Sequence, residues 1–198
     1  MGTPPKGVVV EILGISSLLS ETLDSLQNGL ILAVLVILLL LAANYQSFPV
    51  AFAVVSTVPA VILGSLTALF ITGSTLNLQS YMGMIMGVGV SVANAILIVT
   101  NAERLRLENK DATKAAITSA GIRLRPILMT SLAMIVGMIP MALGMGDAGE
   151  QSAPLGRAVI GGLVASTFAA LFILPQVYSW VRQKSSFNRI SLMPEKKA

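Results

Sequence analysis

Asn94 and Thr130 are polar side chains set in two strongly apolar stretches of this sequence, and Arg123 stands seven residues before Thr130 at the head of the second. An asparagine amide in hydrocarbon must find a hydrogen-bond partner or destabilise the chain by several kcal/mol, so Asn94, with Ser91 nearby in "VSVANAIL", faces protein or trapped water. The second stretch, "GIRLRPILMTSLAMIVGMIPMALGMG" (residues 121–146), opens on two arginines and a proline and carries a Thr-Ser pair near its start. A separation of seven is two helical turns, which puts Arg123 and Thr130 on one face with Thr130 about 10 Å deeper. A hydroxyl there can pass a hydrogen bond between a carboxylate and water. It can equally bond back to the carbonyl one turn earlier in its own helix. A basic residue at a helix end can likewise be a simple headgroup anchor, the role expected of Arg125. For Asn94 the alternative is a helix-packing hydrogen bond worth about 1 kcal/mol.

Composition says what positions these residues. The chain has 198 residues, 55% of them hydrophobic and 11% charged, and a mean hydropathy of +0.83. Ordinary soluble domains carry roughly a quarter charged residues, so this is an all-α membrane protein rather than a soluble domain. It has no cysteine and no histidine, which excludes a disulfide framework and a thiolate metal site and removes the commonest metal ligand. No metal or organic cofactor is expected, and no enzymatic activity. "GxxxxGK[ST]" is absent, so nothing in the chain supports nucleotide-driven work.

Five stretches meet the requirement of about 20 apolar residues per crossing. They are predicted at about residues 20–45, 49–72, 81–100, 126–145 and 158–181. The first extends an amphipathic start into "NGLILAVLVILLLLAANY". Residues 46–48 and 73–80 read as tight turns, residues 101–125 as a link holding a surface helix, and "GDAGEQSAPLGR" as a glycine-rich loop. In the link, Asp111 is the predicted cap, and Ala115, Ala116, Ile117 and Ala120 form the apolar side of a helix lying on the membrane surface. Eleven of the thirteen Lys and Arg lie in residues 104–125 and after residue 181. With five crossings these segments share a face, which the positive-inside rule makes cytoplasmic, leaving the N-terminus outside. The net charge of +4 follows from this topology and calls for no nucleic-acid partner.

An outside N-terminus without a leader is unusual, since "MGTPPKGVVVEILGISS" has no basic start running into an apolar core. "GVVVEI" reads as a β-strand with no second strand to pair with. Both features lead to the expectation that the chain is the C-terminal piece of a larger polypeptide. Residues 1–19 would then end an external domain, residues 20–182 form the membrane domain, and the polar, basic residues 183–198 form a tail.

Three stretches carry a family resemblance: "LLLLAANYQSFPVAFAVVSTVPAVILG", "YMGMIMGVGVSVANAILIVTNAERLR" and "GIRLRPILMTSLAMIVGMIPMALGMG". In order and spacing they resemble the last five membrane helices of the resistance-nodulation-division efflux permeases, the AcrB-like hydrophobe and amphiphile exporters. The resemblance runs from about Pro5 to Val181. It implies helices eight to twelve of a twelve-helix fold, with "PKGVVVEI" as the last strand of a periplasmic porter domain. It also implies a bacterial inner-membrane location, a homotrimer, a periplasmic adaptor and an outer-membrane channel. The function implied is export of drugs or other amphiphiles driven by protons that enter through paired aspartates on the fourth helix. By the same resemblance Asn94 lies beside that pair, Arg123 marks the cytoplasmic end of the proton path, and Thr130 is its relay threonine. The chain departs from the pattern at Ala93, where the best-known members hold a relay lysine.

The acids set the limit on that function. An intramembrane carboxylate is the default proton carrier, and all nine Asp and Glu fall in loops or at ends: Glu11, Glu21, Asp24, Glu103, Glu108, Asp111, Asp147, Glu150 and Glu195. The chain therefore needs an N-terminal half, its own or a partner's, that brings the aspartates. The alternatives are a split-gene subunit that packs against or regulates a transporter, and a small channel or membrane scaffold. Pro59, Pro140 and Pro175 should bend their spans. Gly83, Gly87, Gly89, Gly161 and Gly162 make narrow packing faces, and Met134, Met138, Met141 and Met145 form a soft apolar stripe.

Overall fold

A computed structural model describes residues 15–109, 111–146 and 149–183, so the N-terminal strand expected within residues 1–19 and the tail lie outside the described residues. Every element described is helical. In order they are α1 (Ile15–Tyr45), α2 (Phe48–Val55), α3 (Val58–Ile71), α4 (Leu78–Asn109), α5 (Ala112–Ala142), α6 (Gly149–Phe168), a π-helical turn (Ala169–Ile173) and α7 (Leu174–Gln183). They build five crossings long and apolar enough to span a membrane: Leu19–Tyr45, Phe48–Ile71, Leu78–Glu108, Ala112–Ala142 and Gly149–Arg182.

The prolines act where a missing N–H can be absorbed. Pro59 stands in the first turn of α3 and cannot donate to the turn before it, so the second crossing breaks at Ser56 and Thr57. The two hydroxyls donate back across the break, Ser56 Oγ to the Ala53 carbonyl at 2.7 Å and Thr57 Oγ1 to the Val54 carbonyl at 2.9 Å. Ser91 Oγ of α4 then reaches Thr57 Oγ1 at 3.2 Å, so the break is held from the neighbouring helix. Pro175 is preceded by the π-helical turn, a wider turn of the kind often found at such interruptions. Pro140 lies inside α5, two residues before its end at Ala142, where it withholds one backbone bond without ending the helix.

The centre of the bundle is α6, which packs on α3, α4 and α5. Its approach to α3 is set by two glycines. A Cβ on Gly161 would lie 2.5 Å from the Gly64 carbonyl oxygen, and a Cβ on Gly64 would lie 2.6 Å from the Gly161 carbonyl oxygen, so backbone meets backbone there. Ser65 Oγ donates to the Ala158 carbonyl at 2.8 Å inside the same contact. Gly83, Gly87 and Gly162 also face neighbours closely, whereas Gly89 faces open space.

Two expectations need correction. Among the described residues no separate surface helix stands between the third and fourth crossings: α4 runs to Asn109 and α5 begins at Ala112, and the two pack on each other as long helices. The apolar residues assigned to the membrane surface explain why. Ala115, Ala116 and Ala120 are buried, and Ser119 Oγ donates to the Ile98 carbonyl of α4 at 2.6 Å, so small side chains let two helices close on each other. Ile117, the bulky member of the set, is 65% exposed. The expected cap is present: Asp111 Oδ1 accepts from the Thr113 and Lys114 amides at 3.0 and 3.2 Å. At 32 and 31 residues, α4 and α5 are each about 15 Å longer than the hydrocarbon core is thick. The second correction concerns the glycine-rich loop, which is shorter than expected because α6 begins at Gly149. Arg157 lies inside α6, and its Nε donates to the Ala142 carbonyl at 2.9 Å, satisfying the last turn of α5. Its Nη1 donates to Ser74 Oγ at 2.6 Å, which ties in the α3–α4 turn.

The glycine contact generates the first prediction. Gly161→Val should lower unfolding stability in detergent by about 1–3 kcal/mol through overpacking. Gly137→Ala, where nothing lies within 4 Å, should leave it unchanged or slightly raised. Equal effects of the two substitutions would contradict the packing assigned to α3 and α6.

Candidate functional site at the edge of the α4–α5 hairpin

Asn94 and Arg123 come together through the hairpin register. The Ser119 hydroxyl bonds to the Ile98 carbonyl, and four residues beyond that bond on each helix stand Asn94 and Arg123, at one level about 6 Å further along. Both are half-buried, and the exposed Ala93 lies beside Asn94. Asn94 makes no hydrogen bond among the described residues. The Arg123 Nε is buried and has no partner among them. Seven residues along α4, on the same face as Asn94, Asn101 Nδ2 is buried and unpartnered as well. This edge of the hairpin thus holds two buried donors, Arg123 Nε and Asn101 Nδ2, with no acceptor among the described residues. A buried donor left unsatisfied is destabilising by about 1–3 kcal/mol, more for a charged group.

Thr130 is exposed, and its Oγ1 bonds back to the Pro126 and Ile127 carbonyls at 3.1 and 3.0 Å. That is the local alternative the sequence left open. The hydroxyl keeps its lone pairs free to accept, and it shares a face with Arg123. The second hydroxyl of the Thr-Ser pair behaves differently. Ser131 is buried against α6, with Oγ at 3.0 Å from Thr167 Oγ1. No hydrogen bond joins Asn94, Arg123 and Thr130 to one another among the described residues.

Sequence reasoning missed a second polar group at the basic end of the bundle. Glu103 Oε1 accepts from Tyr178 Oη at 2.8 Å and from Arg182 Nε at 2.6 Å, while Oε2 lies 3.4 Å from Arg106 Nη2. Arg182 is 8% exposed at its side chain and Glu103 17%, so this is a desolvated clasp joining α4 to α7. The spacing of Glu103 and Arg106 signals only a local pair; the partners 75 and 79 residues away leave no sequence trace. Tyr45 makes a similar tie, its hydroxyl 2.7 Å from Thr100 Oγ1, which fixes the end of α1 to α4.

The model of the AcrB/AcrD/AcrF family matches residues 3–182. The chain belongs to this family. It is 34% identical over 176 residues to the swarming motility protein SwrC of Bacillus subtilis strain 168, covering 88% of this chain and 17% of that protein. It is 38% identical over 175 residues to the solvent-resistant pump membrane transporter SrpB of Pseudomonas putida, with the same two shares. A crystal structure of a heavy metal efflux pump superposes with a TM-score of 0.70 at 33% identity, over 77% of this chain and 15% of the pump. The AcrB/AcrD/AcrF chain described here therefore spans about a sixth of the length of these relatives and is a multi-pass membrane protein of the resistance-nodulation-division efflux class.

The clasp yields the second prediction. Glu103→Gln leaves Arg106 and Arg182 without their counter-charge and should lower stability by about 3 kcal/mol, whereas Tyr178→Phe should lower it by about 1 kcal/mol. Detergent unfolding of the two variants checks the order, and a silent Glu103→Gln would remove the clasp from the account.

Proposed function

We propose that this chain is the half of a proton-driven efflux permease membrane domain that receives, rather than supplies, the proton-carrying carboxylates. The observation that carries the reading is the buried, unpartnered Nε of Arg123 at the level of the unpartnered Asn94. A carboxylate presented by a further helix, on the same or a separate polypeptide, satisfies both donors at once and gains the charge-assisted bonds an arginine makes best. Thr130 lies about 10 Å along the same face, where its oxygen accepts from water or from a protonated acid. In this reading Asn94, Arg123 and Thr130 line the path and the acids titrate. Ala93 offers no ammonium, so Arg123 supplies the positive charge that balances the acids.

The basic end, with the clasp and most of the arginines, faces the cytoplasm, and the N-terminus faces the opposite side. Drugs, solvents or other amphiphiles are the substrate class, by analogy with the names of the relatives, and a homotrimer working with an adaptor and an outer-membrane channel is the assembly. Support for this part comes from the family alone.

In the working transporter, Arg123→Ala should reduce export by roughly tenfold to a hundredfold, the equivalent of one charge-assisted hydrogen bond, at unchanged membrane abundance. Asn94→Ala should displace the pH profile of export, because it removes a donor from the titrating acid. Full export in Arg123→Ala, or an unaltered profile in Asn94→Ala, would refute the assigned roles.

A further inference from the structure

On the other side of α5 lies a groove that the transport reading does not use. It opens between α5 and the last crossing, has a volume of about 210 Å³, and is lined by Leu128, Leu132, Ile135, Val164, Phe168 and Phe172. The two hydroxyls in its wall, Ser131 and Thr167, are engaged: they lie 3.0 Å apart, and Thr167 Oγ1 is 2.8 Å from the Leu163 carbonyl. The wall therefore presents hydrocarbon, with the Phe168 and Phe172 rings stacked at 6.2 Å along one side. Leu132 is two residues from Thr130, about 160° around the helix, so a partner engaged by the Thr130 face leaves the groove open.

Charge settles what fits. Arg125, Leu128 and Leu132 follow one another at i, i+3 and i+7, which sets Arg125 on the same helix stripe as two residues of the groove wall, one turn nearer the basic end. Arg125 is exposed and forms no ion pair among the described residues, unlike Arg104, Arg106 and Arg182. The distance along α5 from Arg125 to Ile135 is about 15 Å, half the hydrocarbon thickness and the reach of one acyl chain in one leaflet. We propose that this groove binds one acyl chain of an anionic phospholipid whose phosphate pairs with Arg125. One cation beside an anionic headgroup favours that lipid by about fivefold, while the apolar wall orders the chain beyond it. The inference concerns the side of α5 turned away from Thr130 and stands independently of the chain's role in proton coupling.

The chain's single tryptophan, Trp180, makes the test direct. In the intact chain carrying Trp180→Phe and Phe172→Trp, fluorescence quenching by dibrominated phosphatidylglycerol is compared with quenching by dibrominated phosphatidylcholine in reconstituted bilayers. About fivefold tighter competition by phosphatidylglycerol is expected at Phe172→Trp, falling to equality when Arg125→Gln is added. A Phe70→Trp control on α3, at a site 86% exposed and not part of the groove, should show no preference. Phe168→Trp provides a second reporter should Phe172→Trp fail to fold. Equal quenching by the two lipids, a preference that survives Arg125→Gln, or a tryptophan that neither lipid quenches would overturn the proposal, the last because protein then covers the groove.

Discussion

The contact between Gly64 and Gly161 is the constraint on which the bundle depends. In a bilayer, lipid is as apolar as leucine, so helices associate through close packing and a few hydrogen bonds rather than through removal of apolar surface from water. Only where α3 and α6 meet backbone to backbone does Ser65 reach the Ala158 carbonyl, and the contacts of Gly83 and Gly87 then bring α4 onto the same centre. Once α4 is placed, α5 packs against it and is held there by the Ser119 bond to the Ile98 carbonyl, with Ala115, Ala116 and Ala120 buried alongside. The edge bearing Asn94 and Arg123 is a product of that sequence of contacts, on the two helices that pack directly against α6.

The second organising force is the need to satisfy polar groups without water. Hydroxyls at the break before Pro59, at Thr130 and at Thr167 bond back into their own helices. Arg157 answers the end of α5, and Glu103 gathers Tyr178, Arg106 and Arg182. Against that background, the buried donors without an acceptor among the described residues stand out: Asn101 Nδ2, Arg106 Nε and Arg123 Nε. All three lie on the α4–α5 hairpin, and Arg123 stands level with Asn94.

The five crossings were legible because hydropathy reports directly on lipid as solvent; the predicted starts and ends of the first two lie within a few residues of those observed. The junction at residues 101–125 was misread because an alanine-rich face looks the same whether it meets lipid headgroups or a second helix. Only the Ser119–Ile98 bond distinguishes them. Asn94 and Arg123 were legible as polar residues in apolar runs, while Asn101 was hidden among the charges that follow it. Thr130 and Ser131 carry the same hydroxyl, and packing alone turns one outward and buries the other. Glu103 read as an acid at a helix end, since nothing local announces a tyrosine and an arginine brought from the far end of the chain.

The central claim is that this chain provides polar lining to a proton path and no carrier of its own. It is tested most directly by reconstituting the purified chain into liposomes containing a trapped pH indicator and imposing a pH gradient. The account predicts that the gradient decays no faster than in protein-free liposomes. Decay that is accelerated by this chain alone and scales with its amount would contradict the account, because the carboxylates assigned to other helices would then be unnecessary.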